Sequence, residues 1–579
     1  MPMLPWPPRA LLPALLPLLA EAPAQEPRTP LRLDDPGLAV DPAAREIAQA
    51  GEGPLRLAAW LDDRDQAFAE DLYVAVSLDY GLHWLPEQRL TSGSAFLIDV
   101  DRPQVAVAGG VLHVLWDDSS RSGGDTLFYA RSGDQGTTWT VQQIAWPVAD
   151  HEFAADGQDV VVVWSGGSFP NAAWSVWSRD GGLSFDPPRA VDPANLAFSD
   201  VDDFVVRLQD GTAHLLLEDD RAGNDDLWYH QASDGAAWSA GLRLDQDSSG
   251  TGLIVSNRSL RLVVDGSRLH AVWLEDRRTA SLTDELYYRR SLDGGLTWEP
   301  EQQPGDWQPA VDEVSNPALA ARGDTVLLAW SDDRDAPDFP PRVVASADGG
   351  ATWGTPVVFP GAGVADQEVR GLALRLDASS AILGWFDSSS TPSLASVRPR
   401  FAFTTDGGFS WSETYDLSTF SSNQSVDGEE ASWCFEGGSF TAVVVDGGGP
   451  AASPQVLAGG MRLPWIGATL SLTNLFMTMD GIDPAYEGQT ARWAGSTNLD
   501  GFPHPDNPEL SLDLGPSSSL DYTLQHINLL STVIQGGAAV SDILPIPPLV
   551  SGRTYFAQGW IVDNGLGLLP TDVITITFP

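Results

Sequence analysis

One short turn recurs along this chain and constrains its fold more than any other feature. "SLDGGLTW" ends at Trp298, and close copies end at Trp84, Trp139, Phe185, Trp238, Trp353 and Trp411. The shortest step, Trp139 to Phe185, is 46 residues and the longest, Trp238 to Trp298, is 60. All copies but "SDGAAW" keep Ser or Thr seven places, Asp five and Gly three before the aromatic residue. Repetition at such a period predicts an array of like supersecondary units. Around the fifth copy, "SLRLVVDGSRLHAVWLEDRR" reads as strand, tight turn and strand. "DELYYRRS" is a third strand, and a fourth follows the turn. Alternating apolar residues between closely spaced turns predict antiparallel β-structure with almost no helix. Four such strands per unit, repeated radially, form a β-propeller.

Physical chemistry accounts for the turn. Glycine permits a positive φ, Asp and Ser oxygens accept from turn amides, and the aromatic residue buries a large area between neighbouring units. Structural roles are therefore assigned to Asp79, Asp134, Asp180, Asp234, Asp293, Asp348 and Asp406. The motif S-x-D-x-G-x-T-W resembles the Asp-box of sialidase-like (BNR-repeat) propellers, over roughly residues 40–420. The resemblance implies the architecture and leaves the activity open, because such propellers serve several unrelated functions.

The ends of the chain bear on the number of blades. After the last turn, "ASWCFEGGSFTAVVVDGGGPAASPQVLAGG" reads as three strands without a fourth. "PLRLDD" near the start reads as an orphan fourth strand that would close the ring and remove a free edge. Eight blades are expected, with seven as the alternative. Residues 25–462 are assigned to the propeller. Residues 463–579 change pattern to strands between long Pro/Gly/Ser/Asn loops, as in "RTYFAQGWIV" and "DVITITFP", and are assigned to a C-terminal β-sandwich. That segment resembles C-terminal modules of secreted bacterial proteins, which implies a role in attachment or sorting.

Composition narrows the function classes. Residues 1–24 read as an export signal: Arg9, then "ALLPALLPLLA", then the small residues "APA" before Gln25. Bacterial-type secretion is expected, with no membrane span. Cys434 is the single cysteine, so no intrachain disulfide and no thiolate zinc site can form. The formal net charge is −47, and every one of the 32 basic residues is arginine. Lysine chemistry is absent, and so acidic a chain repels nucleic acid and anionic membranes.

Antiparallel order places the Asp-turns and the first hairpins on one face, so the loops joining strands 2–3 and 4–1 form the other, functional face. Three constellations lie there. The first is a repeated acid–arginine pair after strand 2, carrying Arg64, Arg121, Arg221, Arg277 and Arg334, with a further acid near strand 3 at Asp71, Asp125, Asp226, Asp284 and Asp338. Carboxylate–guanidinium bonds there would brace the loop, with ligand binding as the second role. The second is Arg102, Arg258 and Arg370 at the beginnings of first strands. Sialidases use an arginine triad to hold a sugar carboxylate, with an Asp acid/base and a Tyr–Glu nucleophile, and the resemblance implies that role for these three. The F/Y-R-I-P signature is missing, and Tyr73, Tyr129, Tyr229 and Tyr287 fall at third-strand positions set by the repeat, so no Tyr–Glu pair is assigned. The third is calcium: "DQDSSG" (Asp245–Gly250) starts like a calcium loop but has Ser256 at its last ligand position, and Asp200, Asp202 and Asp203 also gather oxygens. No cofactor is expected, with calcium left open.

The leading expectation is an extracellular, monomeric glycan- or protein-binding scaffold without catalysis. The alternative is an exo-sialidase or other glycoside hydrolase using the channel-mouth arginines.

Overall fold

Short apolar runs joined by Gly-bearing turns pair with their sequence neighbours, because loop closure is cheapest there. The computed structural model describes residues 31–33, residues 45–416 apart from short loops, and mainly strand backbones from residue 431 onward. Residues 1–24, expected to be an export signal, lie outside the described residues. Among the described residues, regular structure is strand except for one 3₁₀ turn at Asp333–Asp335, and no helix is long and apolar enough to cross a membrane.

The chain divides into two units, one of which is Pro27–Leu463. In this unit, four-stranded antiparallel sheets follow one another in chain order. The second blade is typical: Val100–Ala108, Val111–Asp118, Asp125–Ser132 and Thr140–Val148 pair in sequence. Its neighbours are built alike, starting at Arg45–Glu52, Asp150–Asp156, Val201–Gln209, Arg261–Asp265, Val314–Arg322 and Gln367–Asp377. The fifth blade departs from the rule: its fourth strand shrinks to one bridge between Tyr288 and Gln302. Second strands are covered on both faces by adjacent blades, which is why Leu55–Asp62 is buried at every position.

Seven blades are thus made of consecutive strands. One more four-stranded sheet joins Ala431–Glu436, Ser439–Asp446 and Gln455–Arg462 to the early strand Leu31–Arg32, with Leu31 opposite Ala458. Its first strand lies beside both Gln367–Asp377 and Arg45–Glu52, which closes the ring. Leu33, Ile47, Trp60 and Val443 form the core across that junction. The orphan strand therefore pairs where the sequence places it.

The second unit includes Pro464–Pro579. It holds two four-stranded antiparallel sheets, one built on Asn474–Asp480 and one on Thr490–Ser496 with Thr554–Asp563 and Gly567–Thr577, and a two-stranded ribbon.

The Asp-turn is a closed hydrogen-bond circuit. In the fifth blade Ser291 Oγ donates to Asp293 Oδ1 at 2.8 Å and accepts from Gly295 N at 2.9 Å. Asp293 then accepts from Thr297 N at 2.8 Å and from Thr297 Oγ1 at 2.6 Å. The same circuit recurs at Asp134, Asp180, Asp348 and Asp406, and His83 replaces the Thr at Asp79. Asp234 lies outside the described residues.

The circuit aims its glycine at the blade before it. A Cβ on Gly182, Gly295 or Gly350 would overlap the hydroxyl of Tyr129, Tyr229 or Tyr288 in the preceding blade. Each hydroxyl is hydrogen-bonded to a buried histidine of its own blade, His113 at 2.5 Å, His214 at 2.7 Å and His270 at 2.7 Å. Burial lowers these imidazoles to about 4, so they are neutral at pH 7. The turn's aromatic residue completes the seat edge-on, as Trp298 does on Tyr229 with ring centroids 5.2 Å apart.

Two measurements check this seat. Gly295→Ala places a methyl group on the Tyr229 hydroxyl at a φ of 86° and is expected to cost about 2–3 kcal/mol in urea unfolding. Gly294→Ala, also at positive φ (75°) but with nothing within 4 Å, should cost about 1 kcal/mol; equal losses would contradict the seat. Hydrogen bonds from Thr138 and Ser132 hold Asp134 down to about 2 against an ordinary 3.8. A lowered carboxylate contributes stability above its ordinary pKa and loses it as pH falls through the folded value. Asp134→Asn should therefore flatten the loss of stability between about pH 4 and 2 in acid titrations of urea midpoints.

Candidate functional site

First strands begin on the loop face and run down the axis. Three of them start with a bulge whose first residue has positive φ although it is not glycine: Glu46 (50°), Arg102 (53°) and Asn316 (53°). In the seventh blade Gly371 (58°) takes this position. Bulges re-aim side chains, and here they reach the next blade. Glu46 Oε2 accepts from Arg102 N at 2.6 Å, and Asn316 Nδ2 donates to Val369 O at 3.1 Å.

Arg102 is engaged on several sides. Its guanidinium pairs with Asp117 and donates to Asp150 Oδ1 at 2.9 Å and Ala149 O at 2.7 Å, while Asp125 lies 3.6 Å away. Burial pushes Asp117 up to about 6 although Arg102 opposes the shift. Arg258 lies outside the described residues. Arg370 is placed by its backbone, opposite Phe386 and one residue before the bulge position that Arg102 occupies in its own blade, so the two are not equivalent in register.

Of the acid–arginine pairs, Arg64, Arg121 and Arg277 lie outside the described residues. Arg221 pairs with Asp219 and with Asp192 at 2.5 Å, and stacks over Trp228 at 4.4 Å. Arg334 pairs with Asp332 and Asp306, both at 2.7 Å. Two of the acids at the start of strand 3 take other partners: Asp71 pairs with Arg89 at 2.8 Å and Asp226 with Arg243 at 2.6 Å, both arginines coming from the fourth strand, while Asp338 lies outside the described residues. One Tyr–Glu contact lies inside the fifth blade. Tyr287 donates to Glu285 Oε2 at 2.6 Å, but both are buried in the blade, with Tyr287 in the core between the fourth and fifth blades.

Sequence reasoning missed the arginines that line the channel. A cavity of about 650 Å³ opens on the axis, walled by first strands of the third to seventh blades. Its charged groups are Arg207, Arg261, Arg375, Glu152 and Asp203. Arg207 and Arg375 each stand two residues before the closing pair of their first hairpin, Gln209–Thr212 and Asp377–Ser380. Arg261 stands four residues before Asp265–Arg268. At the level of Arg207, other blades carry Ala50, Ala106, Ala154 and Ala320, and such small side chains leave room at the axis.

The three guanidinium groups share one local geometry. Each Nη1 donates to the carbonyl of the preceding residue: Val206 at 2.8 Å, Leu260 at 2.9 Å and Leu374 at 3.0 Å. Among the described residues, no carboxylate lies within ion-pair distance of Arg207 or Arg375. Loss of hydration in the channel wall lowers Arg207, Arg375 and Arg261, the last to about 10, with Glu152 opposing the shift at Arg207, Asp203 and Glu152 opposing it at Arg261, and the other two arginines adding to it at Arg261. All three stay protonated at neutral pH. The arrangement suits an oxyanion held by paired N–H donors. The signal in the sequence was "VVRLQDG", "SLRLVVDG" and "LALRLD", where Arg-Leu falls inside a first strand.

The calcium expectations meet mixed surroundings. Asp245 accepts from Leu227 N at 2.9 Å and pairs with Arg243 at 2.5 Å, and residues 247–250 lie outside the described residues. Asp202, Glu218 and Asp225 bring one oxygen each within 4.8 Å of one another. Calcium takes six to eight oxygens, of which each carboxylate supplies one or two.

No protein-family model matches the chain, and no curated protein does. Solved structures resemble it at low identity. A polysaccharide lyase of a new family, an ulvan lyase with bound saccharide, is 11% identical, covers 64% of this chain and 92% of its own, and has a TM-score of 0.38. The α-L-arabinofuranosidase of Fusarium graminearum with arabinobiose is 12% identical, covers 75% of this chain and 98% of its own, at a TM-score of 0.36. A Hadza microbial sialidase is 16% identical, covers 52% of this chain and 65% of its own, at 0.30. The β-propeller is shown by this chain's own four-stranded sheets, which follow one another in chain order.

The channel charges generate a stability prediction. Removing Arg207 relieves its repulsion of Arg261 and Arg375, and gives up only the attraction of Glu152, which lies beyond ion-pair distance. Arg207→Met is expected to stabilise by on the order of 1 kcal/mol in urea unfolding. A loss of stability would mean that Arg207 has an ionic partner in the folded protein.

Proposed function

We propose that this protein is an extracellular glycan-binding propeller that takes the acidic group of its ligand into the axial channel, and that it binds without turnover. The observation that supports this reading is the pair Arg207 and Arg375, charged, lining a cavity of about 650 Å³ and lacking a carboxylate partner among the described residues. That volume is in the range of small-molecule sites. Arg207 is half-buried and Arg375 exposed, so both present guanidinium N–H donors to the channel, with Glu152 attracting Arg207 from beyond ion-pair distance. A ligand oxyanion supplies the missing partner.

Binding without turnover is favoured by the state of the groups that catalysis would need. The buried Tyr287–Glu285 pair belongs to the blade interior, and Asp117 is held by Arg102. Glycoside hydrolysis requires an acid and a nucleophile or base on opposite sides of the scissile bond.

Calorimetric titration tests the reading. Oligosaccharides bearing uronic acids should bind, and matched neutral ones should bind at least tenfold more weakly. Arg207→Gln and Arg375→Gln should each weaken the acidic ligand by about tenfold, or about 1.4 kcal/mol. Equal affinity for acidic and neutral ligands would sink the channel assignment. Hydrolysis of a fluorogenic sialoside that disappears in Arg207→Gln would replace the binder with a hydrolase.

A further inference from the structure

Charge is graded along the channel. First hairpins and Asp-turns share one face, since Gly181 N donates to Gln158 O and Gly294 N to Ser267 O, both at 2.8 Å. Depth from that face follows from register, at about 3.3 Å per residue. Arg207 and Arg375 each stand two residues from the closing pair of their hairpin, or about 7 Å deep. Arg261 and Glu152 stand four residues in, counted from Asp265–Arg268 and Asp156–Asp159, or about 13 Å. Asp203 stands six residues in, at about 20 Å. All five line the cavity. Exposure follows the same order: Arg375 is exposed, Arg207, Arg261 and Glu152 are half-buried, and Asp203 is buried.

This grading gives an anion two unequal routes. From the loop face it passes Asp203 first and then Glu152 beside Arg261, and the low dielectric of the wall strengthens the repulsion by the carboxylates. From the hairpin face it meets Arg375 and Arg207 first. The turns at that mouth are bare: a Cβ on Gly53, Gly110, Gly157, Gly266 or Gly323 would meet nothing within 4 Å. Carboxylates of this rim are engaged by the turn of the next blade. Glu52 Oε2 accepts from Gly110 N at 2.9 Å, and Asp156 Oδ2 accepts from Asp210 N at 2.7 Å. These bonds lie at the surface, where water and salt screen the repulsion of an approaching anion.

We infer that the acidic ligand enters the channel by the face that carries the first hairpins and the Asp-turns, opposite to the loop face to which the sequence assigns function. This rests on the channel reading: the acidic group goes in to Arg375 and Arg207, and the remaining sugars lie over the glycine turns of the mouth, whose lack of side chains leaves room for them. Glu152 and Asp203 then lie beyond the anion, where they attract Arg261 and repel a ligand that goes deeper.

The experiment obstructs one mouth at a time. Ser267 is exposed in the first hairpin of the fifth blade, and Glu313 is exposed one residue before the first strand of the sixth. Ser267→Cys and Glu313→Cys are made in separate proteins and coupled to a polyethylene glycol maleimide; Cys434 is buried and does not compete. Association of a uronic-acid oligosaccharide is followed by stopped flow. Polymer on Ser267→Cys should slow association about tenfold, whereas polymer on Glu313→Cys should leave the wild-type rate. An unchanged rate with polymer on Ser267→Cys, or equal or greater slowing with polymer on Glu313→Cys, overturns the entrance. Should wild type bind no uronic-acid oligosaccharide, the channel reading falls by itself. The entrance is then judged on phenylglyoxal modification of Arg375, read by peptide mass. Slowing by polymer on Ser267→Cys alone supports it, and any other pattern overturns it.

Discussion

The ring stands on the close approach of an Asp-turn glycine to a side chain of the blade before it, a tyrosine hydroxyl at Gly182, Gly295 and Gly350. Backbone meets side chain there at a distance that excludes a Cβ, so neighbouring sheets take one spacing and one tilt. The hydroxyl is satisfied by a neutral histidine within its own blade, which removes the cost of burying it. An edge-on aromatic residue then fills the remaining gap. Elsewhere the same glycine meets another side chain of the preceding blade, Thr441 at Gly81, Val76 at Gly136 and Leu327 at Gly408, and the early strand Leu31–Arg32 closes the ring by pairing with Gln455–Arg462.

Closure has a consequence for chemistry. First strands stand around the axis, and where they carry alanine the axis stays open. Arg207, Arg261 and Arg375 occupy that opening in a chain of formal charge −47. Elsewhere in the propeller guanidinium groups such as those of Arg102, Arg221 and Arg334 are ion-paired. The acidic exterior repels an approaching anion, but that repulsion is screened over about 8 Å at physiological salt. Inside the channel the balance reverses, because low dielectric strengthens the attraction of the arginines.

The Asp-turn was legible because its hydrogen bonds close within a few residues: Ser291, Asp293, Gly295 and Thr297 need nothing from the rest of the chain to announce themselves. The ring-closing strand was legible as an orphan, since a propeller that lacks one strand at its end and has a spare one at its start has one economical solution. The acid–arginine repeat was legible as bracing, but its partners were not, because Asp71 and Asp226 are reached by Arg89 and Arg243 from a fourth strand that pairs across the sheet. Arg102 and Arg370 looked alike along the chain. A bulge separates them by one residue of register, and one residue reverses the side a strand residue faces.

The amino-acid sequence alone determined the repeating unit, the four-stranded sheet and the propeller, because these follow from local turn chemistry and from the alternation of apolar residues along each strand. Only the tertiary structure decided which arginines meet at the axis and near which end of the channel they stand. Those outcomes depend on the level at which each hairpin closes and on where bulges fall, summed over blades some fifty residues apart in the chain. Proximity of that kind is set by the closure of the ring, and no stretch of sequence short enough to read as a motif contains it.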